Sequence, residues 1–172
     1  QAAGCSLAPM LYGLRAYQGE PHRMESIAVL QDVEYFDDSQ RTNVGATVAA
    51  LTGLGAERKL VLILGGQGKG QDFTPLAAPV ERYARAVVLI GEDAELIAKA
   101  LEGSNVVCLR AASMQEAVQL ASGKANAGDA VLMSPACASF DMFKNYGHRA
   151  EVFRAAVAQL AHNAGVLMGE GA

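Results

Sequence analysis

Hydrophobic positions along the chain fall into short runs whose spacing switches repeatedly between helical and strand periods. Residues 6–17 carry Leu7, Met10, Leu11 and Leu14 at helical spacing behind Ser6, a capping residue type, and Gly19-Glu20-Pro21 then breaks the pattern. That predicts a helix and a linker. Residues 26–30 and 33–36 alternate or cluster β-branched and aromatic side chains around Gln31-Asp32, which predicts an antiparallel hairpin. From there the order is regular. A helix is predicted over 42–54, ended by Gly53 and Gly55, then a buried strand over 59–64, a helix over 76–83, a strand over 86–90 and a helix over 93–101 closed by Gly103. A strand over 106–109 and a helix over 113–122, with Ser113 as cap and Glu116 three residues on, follow. A strand over 130–133 and a long amphipathic helix over 148–161 complete the series.

Strands that run the same way need helical crossovers, and near-continuous apolar strands need cover on both faces. The expected fold class is therefore α/β: a doubly wound, mostly parallel, Rossmann-like sheet with an antiparallel hairpin at its start. Ligands of such sheets bind beyond the carboxyl ends of the strands, which singles out the loops after Phe36, Leu64, Ile90, Leu109 and Met133.

Composition narrows the partners. A chain of 172 residues that is 51% hydrophobic suits one domain and a short appendage. Lys+Arg 14 against Asp+Glu 18 leaves a net charge of -4, which offers no field for a phosphate backbone, so no nucleic acid is expected. No apolar run approaches the roughly 18 residues of a membrane span, so no membrane is expected either. Cys5, Cys108 and Cys137 lack framework spacing, and a reduced, cytoplasmic monomer is expected. The opening Gln1-Ala2-Ala3-Gly4-Cys5 has neither an initiator Met nor a secretory pattern, which leads us to expect a piece of a longer protein. No His, Cys and carboxylate cluster has metal-ligand spacing, so no metal held by this chain alone is expected.

Three of the five loops hold unusual polar residues. Asp37-Asp38-Ser39-Gln40-Arg41-Thr42-Asn43 leads into a helix, where hydroxyls and helix-start amides suit an anion; the plainer alternative is that Asp38 or Ser39 only caps the helix. Gly65-Gly66-Gln67-Gly68-Lys69-Gly70 is no P-loop, because Ile63 and Gly70 occupy the places of its first Gly and its Ser or Thr. Its glycines also miss the dinucleotide fingerprint. What remains is a tight turn that delivers the Lys69 ammonium to an anionic ligand or leaves it solvated. Ser134-Pro135-Ala136-Cys137-Ala138-Ser139 is a run of small residues that lets a backbone approach a ligand, with Ser139 donating its hydroxyl. Cys137 and His148 match no cysteine-hydrolase spacing, which disfavours a catalytic thiol. Pro21-His22-Arg23 reads equally as a hinge or a ligand contact.

Gly19-x-Pro21-His22-Arg23, Asp38-Ser39-x-x-Thr42-Asn43, Gly65-Gly66-x-x-Lys69 and Ser134-Pro135-Ala136-Cys137-Ala138-Ser139-x-Asp141-x-Phe143, in that order, resemble the Mur ligase family. With Lys144-Asn145 following, the last segment is most similar to that family's D-glutamate-adding branch, and the resemblance runs over residues 8–165. It implies a three-domain, ATP-dependent ligase of peptidoglycan synthesis. With ATP and Mg2+, such an enzyme phosphorylates the L-alanyl carboxylate of UDP-N-acetylmuramoyl-L-alanine, and the amine of D-glutamate attacks the acyl phosphate. By this resemblance, residues 1–20 are the closing helix and linker of a missing central ATP-binding domain. Residues 21–172 are the carboxy-terminal amino-acid-binding domain, without a catalytic residue of its own and inactive alone. Thr42 and Lys69 are implied to hold the α-carboxylate of D-glutamate, and Ser139 with the backbone near Tyr146 its side-chain carboxylate. His22, Arg23, Asp38 and Ser39 are implied to line the ribose and phosphates of ATP or ADP. Two positions depart: Gln40 stands where the family usually has lysine, and Tyr146 where phenylalanine is common. The competing expectations are a free-standing nucleotide or dinucleotide receptor and an interaction module, since fold does not fix function.

Overall fold

The computed structural model describes residues 24–139 and 141–165; the helix predicted over 6–17, Cys5, His22 and Arg23 lie outside them. Chain reversal at Gln31 and Asp32, both at positive φ (52° and 66°), joins β1 (Glu25–Leu30) to β2 (Val33–Asp37) as the predicted antiparallel hairpin. β2 pairs in parallel with β6 (Ala130–Met133), and β6 with β3 (Leu60–Gly65). β4 (Ala84–Ile90) and β5 (Val107–Arg110) extend the sheet, giving the order β1-β2-β6-β3-β4-β5. Asp37 and Ile63 both lie level with Met133, so the strands β2, β6 and β3 end at one rim.

Strand alternation splits the core in two. Leu60, Leu62 and Leu64 face a cluster formed with α1 (Val44–Gly55), α2 (Ala77–Tyr83) and α3 (Ala94–Ala100), while Val61 and Ile63 face α4 (Met114–Lys124) and α5 (Tyr146–Asn163). All five of these β3 side chains are fully buried, each contributing about 1.5–3 kcal/mol of transfer free energy. The helix after β6 therefore covers the opposite face from those after its neighbours β2 and β3. Such a change of face between neighbouring strands is where ligands of doubly wound sheets bind.

Several element ends differ from expectation. α1 is capped by Asn43, whose side chain accepts the Ala46 N–H at 2.8 Å, and it continues through Gly53. Asp38 and Ser39 lie too far upstream to cap it. α3 runs on into a 3-10 turn over Glu102–Ser104, and the left-handed residue there is Asn105 (φ 61°), which tolerates that region nearly as well as the predicted Gly103. α2 is preceded by a 3-10 turn over Thr74–Leu76 with proline at its start. α5 begins ahead of the predicted residue because Asn145 caps it, accepting the His148 N–H at 2.8 Å. The Ser113 cap holds: its hydroxyl accepts the Glu116 N–H at 3.1 Å, and Glu116 accepts the Ala112 N–H at 2.7 Å in return. Among the described residues no helix is long and apolar enough to cross a membrane.

At the opposite end of the sheet, Arg85 donates to both Asp129 oxygens (2.6 and 3.2 Å) and Asn126 N–H adds a third bond at 2.8 Å. Burial works to raise the Asp129 carboxyl, but these hydrogen bonds outweigh it and hold the group below its usual value. A depressed folded-state pKa gives stability that is present above the unfolded value and lost as pH falls through the folded one. Asp129→Asn should therefore lower the thermal midpoint by several degrees at pH 7, and the gap should close once pH drops below about 4. Melting curves across pH check this.

Candidate functional site

Backbone hydrogen bonds join the three loops at the rim. Gly65 N–H donates to Pro135 O at 2.9 Å, Gln67 and Ala138 exchange bonds of 3.0 and 2.9 Å, and Ala136 N–H donates to Arg41 O at 3.1 Å. Within the β3–α2 loop, Gln71 N–H returns to Gly68 O at 3.2 Å, and Lys69 and Gly70 between them have φ of 53° and 79°. Positive φ at both central residues is the signature of a type I′ turn, and it puts an exposed Lys69 at the tip. Asp93 braces that turn from the β4–α3 loop, accepting the Gly68 N–H at 2.7 Å and donating its own N–H to Gly66 O at 3.0 Å. Asp141 braces the β4–α3 loop in turn, accepting the Glu92 N–H at 2.6 Å.

Of the residues expected to hold the amino acid, Thr42 and Lys69 are exposed on loops joined in this way, and Tyr146 is 40% exposed as the first residue of α5. Tyr146 Oη accepts a long hydrogen bond from Gln40 Nε2 at 3.4 Å, so the two departures from the family pattern touch each other. Ser139 lies below the surface, its carbonyl accepting the N–H groups of Met142 and Phe143 at 3.3 and 2.9 Å.

The residues expected to line the nucleotide sit deeper. Asp38 is fully buried, accepting from Met24 N–H (2.9 Å), Ser134 Oγ (2.9 Å) and Arg41 Nε (3.1 Å). Burial raises its carboxyl above the usual range, against the opposing pull of those hydrogen bonds. The Arg41 side chain it holds is 26% exposed. Ser39 is also buried, with its N–H on Asp37 Oδ1 at 3.0 Å and no hydrogen-bond partner for its hydroxyl among the described residues. Two of the helix-start amides expected to face an anion are taken by the protein itself: Val44 N–H by Gln71 Oε1 at 2.9 Å and Ala46 N–H by Asn43.

Beneath the loops lies Arg149, fully buried, whose Nη atoms donate to Ser39 O at 2.6 Å and Cys137 O at 3.0 Å. Burial pulls its guanidinium down to about 10, so it remains a cation at neutral pH. It ties the β2–α1 loop to the β6–α5 loop. Cys137 is fully buried too, and burial, helped by the charge of Asp93, pushes its thiol up to about 12. No thiolate is available at neutral pH, and His148 Nδ1 accepts the Lys144 N–H at 3.1 Å, so a catalytic thiol has no support.

Arg149, Gln71 and Asp93 went unnoticed in the loop pattern. For Arg149 a signal existed: it shares the buried face of α5 with Ala150, Phe153, Ala156 and Val157, a place where a charge needs a reason. Two hollows of about 450 and 330 Å3 lie elsewhere, one against β5 beside Cys108 and Arg110, the other at the far end of the sheet beside Leu30 and Leu160. The polar loops themselves converge at the rim. Among the described residues no group of three or more His, Cys, Asp or Glu could hold a metal ion.

Comparison with known proteins gives the family. The profile of the Mur ligase glutamate ligase domain matches residues 22–137. A UDP-N-acetylmuramoylalanine–D-glutamate ligase from Polaromonas sp. is 73% identical over 167 residues, which is 97% of this chain and 28% of that protein. One of the same name from Albidiferax ferrireducens is 67% identical over 96% of this chain and 33% of its own length. The chain thus spans about a third of the length of these relatives. A solved folylpolyglutamate synthase from Mycobacterium tuberculosis, complexed with ADP, superposes with a TM-score of 0.59 at 17% identity, covering 78% of this chain and 32% of that one, and so shares the fold. The chain belongs to the Mur ligase family, and residues 22–137 match that family's glutamate ligase domain.

Proposed function

We propose that this chain is the carboxy-terminal, amino-acid-delivering domain of an ATP-dependent ligase that joins D-glutamate to UDP-N-acetylmuramoyl-L-alanine. The observation that carries the reading is the stitching of the loops bearing Thr42, Lys69 and Ser139 into one rim, where a cation and hydroxyls can converge on a small dicarboxylate. Similarity to D-glutamate ligases supports D-glutamate as that dicarboxylate. Residues 1–20 belong, on this reading, to a preceding ATP-binding domain, and catalysis resides there.

The work of this domain is positioning. Holding D-glutamate with its amine aimed at an acyl phosphate turns a bimolecular encounter into a local one, worth up to about 7–11 kcal/mol in ideal geometry. Lys69 and Thr42 hold the α-carboxylate; Ser139 and the start of α5 at Tyr146 hold the other. On the nucleotide side, Asp38 acts by fixing Arg41, whose half-buried cation suits a phosphate, and Ser39 acts through its backbone. His22 and Arg23 complete that side. ATP supplies the phosphoryl group that activates the acceptor carboxylate.

The full-length ligase should release phosphate only when D-glutamate and the UDP-sugar acceptor are both present. Lys69→Ala removes a charge-assisted contact and should raise the KM for D-glutamate by about 10- to 100-fold. Phosphate release indifferent to D-glutamate, or tight NAD or ADP binding by this domain unaffected by Lys69→Ala, would point to a nucleotide receptor instead.

A further inference from the structure

Gln71 follows the Lys69–Gly70 turn, and its half-buried side chain reaches both of the other rim loops. Its Oε1 accepts the N–H of Val44, the first residue of α1, at 2.9 Å, and its Nε2 donates to Ala136 O at 2.7 Å. Its own N–H closes the Lys69 turn on Gly68 O at 3.2 Å. A primary amide suits both side-chain tasks, because it carries an acceptor and a donor fixed on one plane.

What it grips is under strain. Ala136 has φ 66°, a left-handed conformation that costs a residue with a Cβ about 1–2 kcal/mol, and its N–H is bonded to Arg41 O at 3.1 Å. Gln71 and Arg41 thus hold Ala136 from its two ends. One side chain satisfies the helix-start amide two residues past Thr42, sits two residues past Lys69, and fixes the strained residue three before Ser139.

We infer that Gln71 is a positioning residue for the amino-acid site: it sets the spacing of Lys69, Thr42 and Ser139 without touching the substrate. The inference rests on the D-glutamate reading above. A dicarboxylate held at both ends is sensitive to that spacing, because a shift that lengthens either charge-assisted contact weakens binding. Leucine at 71 would leave Val44 N–H and Ala136 O without their partner. Glutamate would keep the Val44 bond but turn an oxygen toward Ala136 O.

Steady-state kinetics of the full-length ligase test this, with Gln71→Leu and Gln71→Glu beside the wild type. We expect the KM for D-glutamate to rise about 10-fold or more in both, while the KM for ATP stays within about twofold and kcat falls less than about threefold. If Gln71→Leu fails to fold, Gln71→Glu carries the test alone, since it retains the bond to α1. A wild-type enzyme whose phosphate release ignores D-glutamate would remove the reading on which this stands. With D-glutamate ligation intact in the wild type, unchanged D-glutamate KM in the folded variants overturns the inference. So does an equal rise in both KM values with a falling thermal midpoint, because that marks a residue of general stability only.

Discussion

Gly65→Ala is expected to destabilise the domain by about 3–6 kcal/mol, a large part of the 5–15 kcal/mol typical of a folded protein. Gly65 closes β3 at φ 131°, where residues with a Cβ are rarely found, and it pairs with Ile90. An added Cβ would stand 1.9 Å from Ile90 O and 2.9 Å from Ile90 N, all backbone of the neighbouring strand. Neither strand can give way without separating β3 from β4 just below Lys69. Urea denaturation measures the loss. Gly53→Ala is the control of opposite sign: nothing lies within 4 Å of its Cβ position in α1, so it should stabilise by about 0.5–1 kcal/mol. An unchanged midpoint for Gly65→Ala would mean that β3 and β4 do not meet as described.

The second large effect is at Arg149. Arg149→Met keeps most of the volume but strips the donors from two buried carbonyls, Ser39 O and Cys137 O, each worth about 1–3 kcal/mol when stranded. A loss of about 2–5 kcal/mol follows, with the thermal midpoint down by roughly 5–15 °C for a domain of this size. Arg149→Lys retains a cation but only a point donor, and should recover part of the loss. A midpoint shift of under a degree for Arg149→Met would show that the β2–α1 and β6–α5 loops stay together without it.

The element order was legible because hydrophobic periodicity is local. The run Leu60 to Leu64 reads as a doubly covered strand from its composition alone, and Ser113 with Glu116 announces a helix start by spacing. Caps were less legible where several candidates stood in a row. Asp38 or Ser39 is the expected cap of α1, but Asn43, extended and next to the helix, caps it. The rim residues were visible as residue types, but not their depth. Asp38 turns inward because neighbouring Arg41 and, from farther along the chain, Met24 and Ser134 offer it donors. No spacing rule encodes a contact such as Ser134 to Asp38, 96 residues apart. Gln71 was invisible for the same reason: its two partners lie 27 and 65 residues away.

Asp38 accepts from Met24 at the start of β1, from Arg41 beside α1 and from Ser134 after β6, so one buried carboxylate knots three stretches of chain together. Replacing it would free all three at once, and the damage would spread along the sheet's hairpin edge as well as through the loops.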